Sequence, residues 1–143
     1  MTSDIVFVAA SEADLQAFAR RFAASLRPGD VVALSGPLGA GKTAFVRAAV
    51  AELHGEETVT SPTFTIWNRY PGTPPIDHLD FYRIENSAEL FELGAEIAFD
   101  VADSIAFVEW WERGASMIPE RRFEIVIDGA GDGPRSIVVR EPA

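Results

Sequence analysis

The chain has twelve lysine and arginine side chains, and only one of them is a lysine, Lys42, set in Gly36-Pro37-Leu38-Gly39-Ala40-Gly41-Lys42-Thr43. The pattern G-x-x-x-x-G-K-T is a phosphate-binding P-loop. Arginine supplies the positive charge everywhere else. A phosphate cradle calls for a compact ammonium, which slips between phosphate oxygens that backbone N–H groups already surround; a broad guanidinium does not. Glycines at 36, 39 and 41 permit a tight turn and close backbone approach. Thr43 can offer its hydroxyl to Mg²⁺. The nest is expected to form from roughly residues 39 to 43, so the missing N–H of Pro37 does little harm. The chain is expected to bind a nucleoside triphosphate.

Triphosphate hydrolysis also requires an acid near the metal, because the ion must be held where it neutralises charge on the β- and γ-oxygens. Two acids end strand-like runs. Ile105-Ala106-Phe107-Val108-Glu109 has the apolar-run-then-acid form of a Walker B strand, with Glu in place of the commoner Asp. Asp80 closes Ile76-Asp77-His78-Leu79-Asp80. An acid at the C-terminal end of a parallel strand lies where open α/β sheets bind their ligands. Glu109 and Asp80 are therefore the candidate metal and catalytic acids, although most strand-end carboxylates simply face water. His78 reads as a strand residue rather than a ligand, and His54 as a helix-end residue facing the dipole. Asp77, out of phase with Asp80, reads as solvated.

The hydroxyls of Thr60-Ser61-Pro62-Thr63 sit where switch loops sense a γ-phosphate, and a simple turn before a strand fits the same residues equally well. Arg83, Arg113 and the Arg121-Arg122 pair are candidate charge-stabilising groups, with surface solubility the commoner job. Of Trp110 and Trp111 one is expected in the core; an exposed partner would mark a binding surface.

These residues need a scaffold. Ile5 to Ala9 reads as a strand. Ser11-Glu12-Ala13-Asp14 resembles a capping box opening a helix with Leu15, Phe18, Phe22 and Leu26 on one face, stopped by Arg27-Pro28-Gly29. Val31-Val32-Ala33-Leu34 is a buried strand leading into the P-loop. Phe45, Val46, Ala49, Val50 and Leu53 then recur at helical spacing up to His54-Gly55. Strand, glycine loop and helix come in the order a P-loop requires, so the helix N-terminus aims its N–H groups at the phosphates. Strands are expected over Phe64–Tyr70 and Ile76–Phe81, helices from Ser87 to about Leu93 and from Ala95 to Val101, and a strand over Ser104–Glu109. Phe123–Ile127 and Ser136–Val139 suggest a closing hairpin. Early βα alternation followed by hairpins predicts an α/β, P-loop NTPase-like three-layer fold, a mixed parallel and antiparallel sheet flanked by helices.

At 15.5 kDa and 48% hydrophobic residues the chain is read as one globular domain over residues 1–143. No apolar run approaches the ~18 residues of a membrane span, and the N-terminus lacks a signal-peptide pattern. Zero cysteines exclude disulfides and thiolate metal sites and fit a cytoplasmic protein. A net charge of −10 opposes direct binding to RNA or DNA and suits docking on a basic protein surface.

Several segments together resemble the TsaE (YjeE) ATPases of bacterial tRNA modification. They are the P-loop, Ser61-Pro62-Thr63-Phe64, His78-Leu79-Asp80-Phe81-Tyr82-Arg83, Glu89-Leu90-Phe91-Glu92-Leu93-Gly94 and Val108-Glu109-Trp110. The clear likeness runs from about Val31 to Pro119. It implies weak hydrolysis of ATP with Mg²⁺, in support of a threonylcarbamoyl transferase complex whose other members are TsaD and TsaB. ATP turnover would reset that complex as it makes threonylcarbamoyladenosine on tRNA. By the same resemblance Leu38, Gly39, Ala40, Gly41, Lys42 and Thr43 hold phosphates, and Thr43 and Glu109 hold Mg²⁺. Asp80 assists the metal or the attacking water, and Ser61 and Thr63 belong to a switch-like loop. Glu12 and Gly133 approach the nucleotide from the two chain ends. Pro37 departs from the acid frequent in the family. The rival readings are a small-molecule kinase, for which no lid segment is evident, and a nucleotide-gated binding module without catalysis. A GTPase is disfavoured because N-K-x-D is absent.

Overall fold

The computed structural model of the chain describes residues 4–55, 67–95, 97–100 and 103–142. Seven strands form one sheet in the order β1-β7-β6-β2-β5-β4-β3. They are β1 (Asp4–Ala9), β2 (Val31–Ser35), β3 (Trp67–Tyr70), β4 (Ile76–Asp80), β5 (Ile105–Glu109), β6 (Phe123–Asp128) and β7 (Arg135–Arg140). The centre is parallel, with β2 between β5 and β6 and β4 beside β5. The flanks are antiparallel: β3 on β4, and the β6–β7 hairpin followed by β1. The mixed three-layer α/β arrangement is the one expected from the sequence.

The strand period places alternate residues on two faces. On one, Val32, Leu34, Ile105, Phe107, Ile125 and Ile127 pack against α1 (Glu12–Ala23) and α2 (Lys42–His54) through Leu15, Ala19, Phe45, Val46 and Ala49. On the other, Val31, Leu79, Ala106 and Val108 meet Phe81, which directly follows β4, and Leu90, Ala98 and Ile118 from α3 (Ser87–Glu92), α4 (Ile97–Asp100) and the segment that follows β5. Ser11 caps α1, its side chain accepting from Asp14 N at 3.2 Å, and Gly55 in the left-handed conformation ends α2. Leu26 lies past the end of α1, so only its burial matches the expected helical face. The periodicity gave no sign of the 3₁₀ segment Trp111–Met117. Expected strand residues 64–66 and the loop carrying Ser61 and Thr63 lie outside the described residues. Among the described residues no helix is long and apolar enough to cross a membrane.

Because β2, β4 and β5 run parallel, their C-terminal ends share one edge of the sheet. Glu109 pairs in register with Leu34 and with Asp80. The two candidate acids are thus delivered beside the loop between β2 and α2.

Candidate functional site

Residues 36–41 fold as a glycine turn. Gly36 has φ 149°, and a Cβ there would collide with the carbonyl oxygen of Ile127. Gly41, φ 113°, is the N-cap of α2, and a Cβ would lie 2.8 Å from Leu15 Cδ2. At Gly36 both the backbone angle and the space require glycine; at Gly41 the left-handed φ is the stronger constraint. No side chain caps α2 and no acid occupies its first turn, so nothing on the helix competes for its N-terminal N–H groups. Pro37 acts through its carbonyl, which accepts from Ala40 N at 3.1 Å and from Lys42 Nζ at 3.0 Å.

Lys42 is the first residue of α2 and is buried. Its ammonium donates to the Gly36 and Pro37 carbonyls and lies 4.4 Å above the Trp110 ring. Burial lowers its pKa below the usual 10.5, opposed by the negative charges of Glu109, Asp80 and Glu112. The ammonium is held by neutral carbonyls and a ring face, with carboxylates near enough to favour its charge.

Thr43, one residue on, turns its hydroxyl to Glu109, Oγ1 lying 3.0 Å from Oε1 and 3.1 Å from Oε2. Buried Glu109 also meets His78, whose Nε2 is 2.6 Å from Oε2. With the carboxylate as acceptor, Nε2 carries the proton. His78, expected only as a strand residue, thus joins Thr43 in fixing the Glu109 carboxylate; among the described residues its Nδ1 has no hydrogen-bond partner. Asp80 is half-buried, and its Oδ1 accepts from Tyr82 N at 2.9 Å. Burial raises its pKa above 3.8 and the negative charge of Glu109 adds to this, against the Tyr82 hydrogen bond, His78 and Lys42.

A hydroxyl and carboxylates are the hard oxygen donors that suit magnesium. Among the described residues no group of three or more histidine, cysteine or acidic side chains could hold a metal ion unaided. That donor set fits an ion completing its shell with phosphate oxygens and water.

On the other flank of the loop a cavity of about 330 Å³ opens between the start of α1, the P-loop and the β6–β7 turn. Its lining includes Glu12, Leu15, Gly39, Gly41, Asp132 and Gly133. Glu12 and Gly133, from opposite ends of the chain, therefore share one wall system with the P-loop. Leu38 projects outward, 64% exposed. The site brings together Lys42, Thr43, Asp80 and Glu109 at one sheet edge, with Gly39, Ala40 and Gly41 joining it to the cavity.

Several side chains make contacts that the sequence did not predict. Asp77 is not solvated: it is fully buried, accepting from Trp67 Nε1 at 2.8 Å and Ser104 Oγ at 2.7 Å. The face opposite Asp80 is covered by the second helical layer, so phase alone could not say which face met water. His54 closes α2 as expected, and its Nε2 also lies 2.6 Å from Pro74 O in the neighbouring turn. Arg113, a candidate charge-stabilising group in the sequence, bonds the Tyr82 carbonyl and stacks on Tyr82 and Trp110, 5.1 and 5.5 Å from the ring centroids. Both Trp110 and Trp111 are partly exposed, against the expectation of one in the core. Arg135, which the sequence did not single out, donates to Ala40 O at 2.9 Å. Its place directly after a glycine-rich turn was the one available signal.

Residues 9–137 match the family model described as "Threonylcarbamoyl adenosine biosynthesis protein TsaE". The chain is 40% identical over 125 residues to the tRNA threonylcarbamoyladenosine biosynthesis protein TsaE of Bacillus subtilis (strain 168), covering 87% of this chain and 77% of that one. It is 39% identical over 114 residues to the protein of the same name from Treponema pallidum (strain Nichols), covering 80% and 84%. The crystal structure of Bacillus subtilis YdiB superposes with a TM-score of 0.81 at 32% identity, covering all of this chain and 88% of that one.

Proposed function

The chain belongs to the TsaE family of tRNA threonylcarbamoyladenosine biosynthesis, and on that premise we propose that it is a Mg²⁺-dependent ATPase within that system. Its turnover supports a threonylcarbamoyl transferase built from TsaD- and TsaB-type subunits, as the family resemblance implies. The observation that carries the reading is the convergence at Thr43: the P-loop hydroxyl touches both oxygens of a buried strand-end carboxylate, one residue from the chain's single lysine. In a site of this kind magnesium supplies neutralisation of charge on the transferring phosphate.

The residues divide the work. The N–H groups of the loop and of the first turn of α2 bind phosphate oxygens. Lys42 exchanges its carbonyl partners for phosphate, a stronger acceptor that also offsets the burial of its charge. Glu109, held by His78, orients the Thr43 hydroxyl and presents an anionic oxygen to the metal. Asp80 keeps a carboxylate with raised proton affinity at the same edge, suited to taking a proton from water. The acidic balance of the chain favours action on a protein partner over direct contact with tRNA.

The test compares ATP turnover of the wild type and Glu109→Gln, with and without purified TsaD- and TsaB-type subunits. The substitution keeps the shape and removes the charge, so turnover should fall by roughly 10²-fold or more, and the partners should stimulate only the wild type. Equal turnover of the two proteins would remove Glu109 from the chemistry.

A further inference from the structure

Arg135 opens β7 directly after the turn 129–134. Its Nε donates to Ala40 O at 2.9 Å and Nη2 to Gly39 O at 3.3 Å, both in the P-loop. Nη1 donates to Gly133 O at 2.7 Å and Nη2 to Gly131 O at 2.8 Å, both in the turn. One guanidinium therefore gathers four neutral carbonyls from two segments about 95 residues apart in sequence. Gly129 is required by the turn itself, with φ 128° and a Cβ that would lie 2.5 Å from the Pro134 carbonyl oxygen; the same Cβ would also crowd Arg135 Cδ at 2.9 Å.

The consequence follows from peptide geometry. In a trans peptide the C=O of one residue and the N–H of the next point to opposite sides. Pinning Ala40 O toward Arg135 therefore aims Gly41 N–H away from it. The same guanidinium joins the Gly39–Gly41 and Gly131–Gly133 walls of the 330 Å³ cavity. We propose that Arg135 is a positioning residue for the nucleotide site: it locks the phosphate loop to the β6–β7 turn, so that the cradle and the cavity wall are pre-aligned as one unit before ligand arrives. The proposal rests on the ATP-binding reading for its ligand, but not for the lock itself. A lysine could not replace it, because a single ammonium lacks the planar fork that spans four acceptors.

The test uses Arg135→Met and Arg135→Lys in the full chain, with two readouts. The first is amide hydrogen exchange without nucleotide, which reports local opening. Amides of residues 39–43 should exchange faster in both variants while those of β5 keep wild-type protection. The second is calorimetric titration with ATP and Mg²⁺, in which both variants should bind roughly tenfold more weakly. In turnover this should appear as a raised KM with kcat retained, because Arg135 touches the loop and not the reacting atoms. Wild-type exchange and affinity in Arg135→Met would overturn the proposal. So would full restoration by lysine, which would reduce the role to charge. Faster loop exchange in a protein whose wild type binds no ATP would support the lock while refuting the nucleotide reading.

Discussion

At the scale of single residues the site sets burial against charge. Asp80 and Lys42 are both displaced toward neutrality by desolvation, and each is pulled back by neighbours of opposite charge. For Asp80 the linkage has a definite sign. Its folded-state pKa lies above the ordinary 3.8, so the folded protein holds a proton that the unfolded chain has lost. The stability this provides is fully present below pH 3.8 and is lost as the pH rises through the folded-state value. At neutral pH the ionised carboxylate is a cost to the fold. Asp80→Asn, whose amide oxygen can still accept from Tyr82 N, should therefore melt above wild type at pH 7. The gap should close as the pH is lowered toward the ordinary carboxylate range. Melting curves across that range check this, and a variant less stable than wild type at pH 7 would show that the carboxylate is not strained. Its turnover should fall even as its stability rises.

At the scale of elements, strands and helices were legible in the sequence where a simple period governed them. The buried runs Val31–Leu34 and Ile105–Val108, the capped start of α1 and the glycine stop of α2 lie where the pattern put them. The segment Trp111–Met117 was not, because a 3₁₀ turn with a kink at Gly114 repeats no period long enough to read. Gly114 is needed there for space: a Cβ would press into the rings and methyls of Phe81 and Leu90. The side chains that bind elements together were also hidden, since their partners are far apart in sequence. Asp77 is the clearest case, a buried acid on β4 that holds Trp67 of β3 and Ser104 at the start of β5. Asp77→Ala leaves two donors without acceptors and should destabilise by about 2–3 kcal/mol. For a chain of this length that lowers Tm by roughly 5–10 °C. Denaturant unfolding with an unchanged midpoint would mean that water replaces the carboxylate without loss.

At the scale of the whole molecule, the parallel core fixes what the fold is for. Three strands ending on one edge bring the P-loop, Asp80 and Glu109 together, and the hairpin from the far end of the chain returns to close a wall beside Glu12. The candidate site was readable from the sequence for Lys42, Thr43, Asp80 and Glu109 because motif and strand-end position name them. It was not readable for His78 and Arg135, whose contacts with Glu109 and the P-loop exist only once the sheet is assembled. Ser61 and Thr63 lie outside the described residues, and the switch reading of them stands as an expectation from resemblance. Family membership places the chain in tRNA threonylcarbamoyladenosine biosynthesis.

The most direct measurement is calorimetric titration of ATP with Mg²⁺ into the wild type and Lys42→Ala, with melting curves of both proteins alone. The account predicts a saturable single site in the wild type and its loss in the variant, while the two unliganded proteins unfold at closely similar temperatures. ATP at one hundred times Kd should further stabilise the wild type by about 2.7 kcal/mol and leave the variant unmoved. Undiminished affinity in Lys42→Ala, or a wild type that takes up no ATP, would contradict it.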